Sequence, residues 1–150
     1  MRTIALAAAT MLASHAARAG QVRFDVQLLP AATGAQQVIS GLNDSGTVVG
    51  YQFSSGNPEQ AYVFTDGTLS VLPVPGALWA RPAGISNNGV VVGSWFVNNT
   101  QQTGFLSASG ATPIAVLSAG ANTNAVAQAI DPGGRLIAGY SVGDAHRSWI

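Results

Sequence analysis

A stretch of ten residues returns twice along the chain. Gly41-Leu42-Asn43-Asp44-Ser45-Gly46-Thr47-Val48-Val49-Gly50 comes back 43 residues later as Gly84-Ile85-Ser86-Asn87-Asn88-Gly89-Val90-Val91-Val92-Gly93. A looser copy, Ala129-Ile130-Asp131-Pro132-Gly133-Gly134-Arg135-Leu136-Ile137-Ala138-Gly139, begins a further 45 residues on. Two other markers keep step. Leu29, Leu72 and Leu117 are spaced by 43 and 45 residues. Gln60-Ala61-Tyr62-Val63, Thr103-Gly104-Phe105-Leu106 and Arg147-Ser148-Trp149-Ile150 are spaced by 43 and 44, with an aromatic always third. A unit of this length cannot bury its apolar face alone, so copies must stack on one another. The expected organisation is one repeat domain over residues 20–150, with approximate repeats 22–64, 65–107 and 108–150. The extra residue of the third copy is expected near Ala138, as a bulge.

Each copy reads as four short strands. Clusters of Gly, Asn and Asp separate apolar runs, and no helical period holds beyond the first twenty residues. Asn43 to Gly46 predicts a hairpin loop with a left-handed glycine, and Asp66-Gly67 and Ser109-Gly110 predict a second hairpin per copy. The runs Val48-Val49, Val90-Val91-Val92 and Leu136-Ile137 are apolar throughout, as expected of a strand covered on both faces by stacked sheets. The fold class is therefore all-β, with propeller-like blades built from three repeats. A β-trefoil, also three-fold with about four strands per copy, is the alternative.

Gly41 to Tyr51 (G-L-N-D-S-G-T-V-V-G-Y) followed by Gln60 to Phe64 (Q-A-Y-V-F) resembles the bacterial "probable extracellular repeat, HAF family". The likeness runs over Val22 to Ile150. The second segment departs from the family pattern, because Gln60, Thr103 and Arg147 stand where its histidine would be. The resemblance implies an exported protein of β-propeller-like blades and brings no catalytic residues.

Export is also read from residues 1–19. Arg2 precedes an apolar run, Ile4 to Ala13, and Ala17-Arg18-Ala19 is a small-residue cleavage site. The run is too short to span a bilayer. The mature chain is expected to start at Gly20 and to be secreted, extracellular or periplasmic, with no transmembrane segment. It then keeps four arginines and no lysine against six acids, a formal charge of −2. Such a chain has no electrostatic footprint for nucleic acid. Charged residues are only 8% of the whole, so amides, hydroxyls and glycine must cover the surface. With no cysteine, packing and sheet hydrogen bonds carry the stability.

Residues of catalytic type are few and scattered. Asp144, His146 and Ser148 would share one face of a strand, but side chains two apart run parallel and do not converge as a triad must. Asp44, Asp66 and Asp131 fall in turns, where a short carboxylate bonds neighbouring N–H groups. Neither Asn43-Asp44-Ser45 nor Asp131-Pro132-Gly133 brings the several acids a calcium loop uses. No catalytic, cofactor-binding or metal-ligating residue is assigned, and no cofactor is expected. Trp79 has no aromatic counterpart in the other copies, which makes it the candidate ligand contact, with a glycan the ligand that an aromatic face and amide rim suit. The expected role is that of a non-enzymatic exported repeat protein, structural or ligand-binding. A small carbohydrate-binding, lectin-like module is the first alternative and a hydrolase the second.

The ends of the chain suggest assembly. Residues 22–29 read as a strand that completes the last repeat, removing an open edge. Propellers usually have 4–8 blades, so three copies point to a homo-oligomer of two chains. A fragment of a longer array and a monomeric trefoil are the other expectations.

Overall fold

The computed structural model describes residues 28–30, 34–96, 98, 100–108, 115–117, 124–141 and 147–150. The described residues hold eleven strands and no helix. β1 (Gln36–Leu42), β2 (Val48–Phe53), β3 (Gln60–Thr65) and β4 (Thr68–Val71) form one antiparallel sheet in chain order. β5 (Trp79–Ile85), β6 (Val91–Phe96), β7 (Gln102–Ser107) and β8 (Ala115–Leu117) form a second in the same order. β9 (Ala125–Ile130), β10 (Ile137–Ser141) and β11 (Arg147–Trp149) form a third. Every copy pairs within itself. The repeat boundaries at 64/65 and 107/108 fall around the β3–β4 and β7–β8 hairpins, so the sheets are phased differently from those cuts.

The sheets stack through their first strands. β5 packs on β1, β2 and β3, and β9 packs on β5, β6 and β7. Val49 and Ala61 of the first sheet meet Ala80, Ile85, Val91 and Phe105 of the second in one core. The middle sheet is covered on both sides, and Val91, Val92, Gly93 and Ser94 of β6 are all buried. That matches the expectation from its apolar run. The outer copies differ: Val48 and Ile137 are only half-buried, Val48 on the face turned away from the second sheet. Leu136 lies outside the strand and is 58% exposed. Burial of hydrophobic side chains at about 25 cal/mol per Å² is the main force holding the stack together.

One detail corrects the sequence reading. Each first strand carries a bulge, at Ser40, Ala83 and Gln128. These positions are one repeat apart, so the bulge is common to all copies. The additional residue of the third copy lies instead in the hairpin loop: Leu42 and Val48 pair across five residues, as do Ile85 and Val91, whereas Ile130 and Ile137 pair across six.

Asp66-Gly67 makes the β3–β4 turn, with φ of 50° and 78°, the two left-handed residues of a type I′ hairpin. Ser109-Gly110 lies outside the described residues, as do residues 1–27, Asp144 and His146. Leu28 to Pro30 belong to no strand. Among the described residues no helix is long and apolar enough to cross a membrane.

Candidate functional site

The seam between the first and second sheets carries the richest polar chemistry, and its two ends are built differently.

At one end lie the hairpin loops. The first residue of each loop caps it. Asn43 Oδ1 accepts from the N–H of Ser45 at 3.2 Å and of Thr47 at 2.9 Å. Ser86 Oγ accepts from Val90 N–H at 3.0 Å. Asp131 accepts from Arg135 and Leu136 N–H, both at 2.6 Å, and from Gly133 N–H at 3.1 Å. Its Oδ1 takes both successive N–H groups, of Arg135 and Leu136, and its Oδ2 takes that of Gly133, which closes the loop that has one residue more. Those backbone donors, Leu136 foremost, hold the Asp131 carboxyl below the usual range, since they favour the charged form. Gly46, Gly89 and Gly134 take the left-handed conformation, with φ of 81°, 81° and 71°, which a side chain would strain.

The same loops bond to one another across sheets, one repeat apart. Asn43 Nδ2 donates to Ser86 O at 3.1 Å. Asp44 N–H donates to Asn87 Oδ1 at 3.0 Å, and Asn87 Nδ2 returns a bond to Asp44 Oδ2 at 2.7 Å. Asn87 N–H then donates to Pro132 O at 2.8 Å, and Asn88 Nδ2 to Gly133 O at 3.4 Å. The polar letters of the repeat therefore form a ladder from sheet to sheet. Beneath it opens a groove of about 490 Å³, floored by Val63, Leu72, Ile85 and Val91 and rimmed by Asn43, Thr65, Asn87 and Asn88. Asn43, Asn87 and Asn88 are already engaged in the ladder.

At the other end lies Trp79, the residue singled out by sequence. It is half-buried rather than free, and meets Phe96 edge-on with ring centroids 5.6 Å apart. Beside it the Arg81 guanidinium lies 5.4 Å from the centroid of Tyr51 and 6.0 Å from that of Phe96. Glu59 forks onto Arg81, through Nε and through Nη2 at 2.8 Å. This pair raises the Arg81 pKa still further. Tyr51 in turn stacks on Phe53 at 6.2 Å. Together these residues form an aromatic surface with a fixed cation at its centre. Sequence reasoning found only Trp79. The signal for Arg81 was nonetheless present, because the equivalent positions hold Val38 and Val126. A lone arginine at an apolar repeat position marks a contact specific to that copy.

No protein-family model, no curated protein and no solved structure matches this chain.

Proposed function

We propose that this is an exported, non-enzymatic β-repeat protein whose copies are propeller-like blades, serving outside the cytoplasm as a structural or ligand-binding scaffold. The ladder carries the reading. The polar residues that define the repeat, Asn43, Asp44, Ser86, Asn87 and Asp131, cap loops and join sheets. Their repetition is accounted for by architecture. The blade reading is supported by meanders in chain order that stack through equivalent strands, β5 on β1–β3 and β9 on β5–β7. It is also supported by the pairing of the described strands, which stays within each copy.

The export reading predicts that protein recovered outside the cytoplasm starts at Gly20. Intact-mass measurement tests it, and recovered protein beginning at Met1 refutes it. Turnover of any member of a broad hydrolase substrate panel, lost on substitution of a single residue, would overturn the non-enzymatic reading.

A second reading is a carbohydrate-binding module, favoured by the Trp79, Phe96 and Tyr51 rings around Arg81. Sugar rings stack on aromatic faces while their hydroxyls bond planar polar groups. Glycan-array binding that disappears in Trp79→Ala, with unfolding unchanged, supports it. No binding, or binding indifferent to Trp79, removes it.

A further inference from the structure

Asn88 is the only asparagine in the chain that is followed by glycine. That dipeptide carries a reaction of its own. With no side chain on Gly89 to hinder it, the Gly89 main-chain nitrogen can reach the carboxamide carbon of Asn88. Asn88 is also exposed to the water that the reaction consumes. In the fold, however, both reacting groups are held. The Gly89 N–H donates to Ser86 O at 3.0 Å, closing the turn. Asn88 Oδ1 accepts from the hydroxyl of Ser86, a residue that is fully buried.

The neighbouring sheet adds a further restraint. Asn88 Nδ2 donates to Gly133 O at 3.4 Å. Gly134 backs onto the same carboxamide: a β-carbon there would come within 2.6 Å of Oδ1 and 3.0 Å of Nδ2. The loop that carries Gly133 and Gly134 is itself shaped by Asp131, whose carboxylate takes the N–H groups of Gly133, Arg135 and Leu136. In the first copy Ser45 stands at the place of Asn88, and serine has no carboxamide to react.

We propose that Asn88-Gly89 is a self-modification site, deamidating with water as the only co-reactant, and that the ladder to the third sheet holds the reaction back. The Gly89 nitrogen gives up its proton and bonds to Asn88 Cγ. The Cγ–Nδ2 bond breaks, and Nδ2 leaves with a proton as ammonia. Water then opens the cyclic imide. Breaking the new N–Cγ bond gives aspartate. Breaking the original peptide bond gives isoaspartate, with the main chain rerouted through the side chain. Attack requires the Gly89 N–H to leave Ser86 O and the carboxamide to leave Gly133 O, so the reaction runs from the locally opened loop. A carboxylate has no hydrogen to donate to Gly133 O. Modification therefore removes the Asn88 rung to the third sheet, while the rungs at Asn43 and Asp44 stay in place.

Incubation of the purified chain at mildly alkaline pH, followed over time by peptide mapping and mass measurement, tests this. In the folded chain Asn88 is expected to convert before any other asparagine, to a mixture of aspartate and isoaspartate. Asn88→Gln is expected to remove this first acidic species. The chain unfolded in guanidinium chloride is expected to convert at Asn88 roughly tenfold or more faster than the folded chain, because the closed loop reacts only by local opening. Asp131→Ala, which frees the loop of the neighbouring sheet, is expected to raise the folded rate several-fold and to leave the unfolded rate unchanged. Another asparagine converting first in the folded chain overturns the assignment of the site. Equal rates in the folded and unfolded chains overturn the restraint, and so does a folded Asp131→Ala variant that reacts at the wild-type rate. Should Asp131→Ala fail to fold, the comparison of folded with unfolded wild-type chain decides alone.

Discussion

Phe105 lies across Gly93: the two are cross-strand partners on β7 and β6, and a β-carbon on Gly93 would come within 2.8 Å of ring carbon Cε1. The relation repeats. Gly50 pairs with Tyr62 and Gly139 with Trp149. At all three glycines a β-carbon would also collide with a first-strand carbonyl, that of Val38, Arg81 or Val126. The glycine that ends the first sequence marker and the aromatic of the later marker are thus one unit, a ring laid over a bare backbone. The Tyr62 hydroxyl, its pKa raised by burial, reaches past Gly50 to donate to Val38 O at 3.3 Å.

Gly93→Ala is therefore expected to cost about 3 kcal/mol or more, since neither the carbonyl nor the packed ring can move aside. Gly46→Ala, in open space but at φ 81°, is expected to cost only about 1–2 kcal/mol of backbone strain. Urea unfolding of the two variants checks the order. Equal losses would mean that the ring and carbonyl yield.

The ladder makes a graded prediction. Asn43 is buried and serves both its own loop and Ser86 O, so Asn43→Ala is expected to cost about 2–3 kcal/mol by stranding buried partners. Asn87→Ala, on the exposed rim, is expected to cost about 1 kcal/mol. A double-mutant cycle between Asp44→Ala and Asn87→Ala should show coupling well above experimental error. Additive effects would mean that the inter-sheet pair contributes nothing.

Asp131 sets an acid limit. Its folded pKa is depressed by backbone donors, so its contribution to stability is fully present above the unfolded value. It is lost as pH falls through the folded value. Asp131→Asn keeps one acceptor oxygen but does not titrate. The variant is expected to be less stable near neutrality and to lose less stability on acidification. Thermal unfolding followed downward from neutral pH checks this, and parallel curves would sink it.

Arg81 should matter little to stability. Its side chain is about half exposed, and exposed ion pairs are worth roughly 0–1 kcal/mol. Arg81→Val, which installs the residue of the other two copies, is expected to change stability by no more than about 1 kcal/mol, with a smaller difference at high salt. A loss several times larger, measured by denaturant unfolding, would show that the guanidinium is needed to pack Tyr51 against Phe96.

The all-β class, the three-fold repeat, both kinds of hairpin and the doubly covered middle strand were legible in the residues, because turn chemistry and apolar runs act over a few neighbours. Leu136 was misread for the same reason. A local apolar pair looks like strand, while the six-residue loop that leaves it outside is recognised only from the pairing of Ile130 with Ile137. The bulge common to the first strands was hidden, since one surplus residue cannot be placed until a partner strand gives the register. The site was the least legible part. Trp79 stood out as a lone aromatic, yet Glu59, Tyr51 and Phe96 join Arg81 only where separate strands meet. The same holds for the Asn43 to Ser86 and Asp44 to Asn87 bonds. The sequence by itself determined which positions repeat, through spacing along the chain. Only the tertiary structure decided that those positions touch, because stacking brings residues 43 apart within hydrogen-bonding distance.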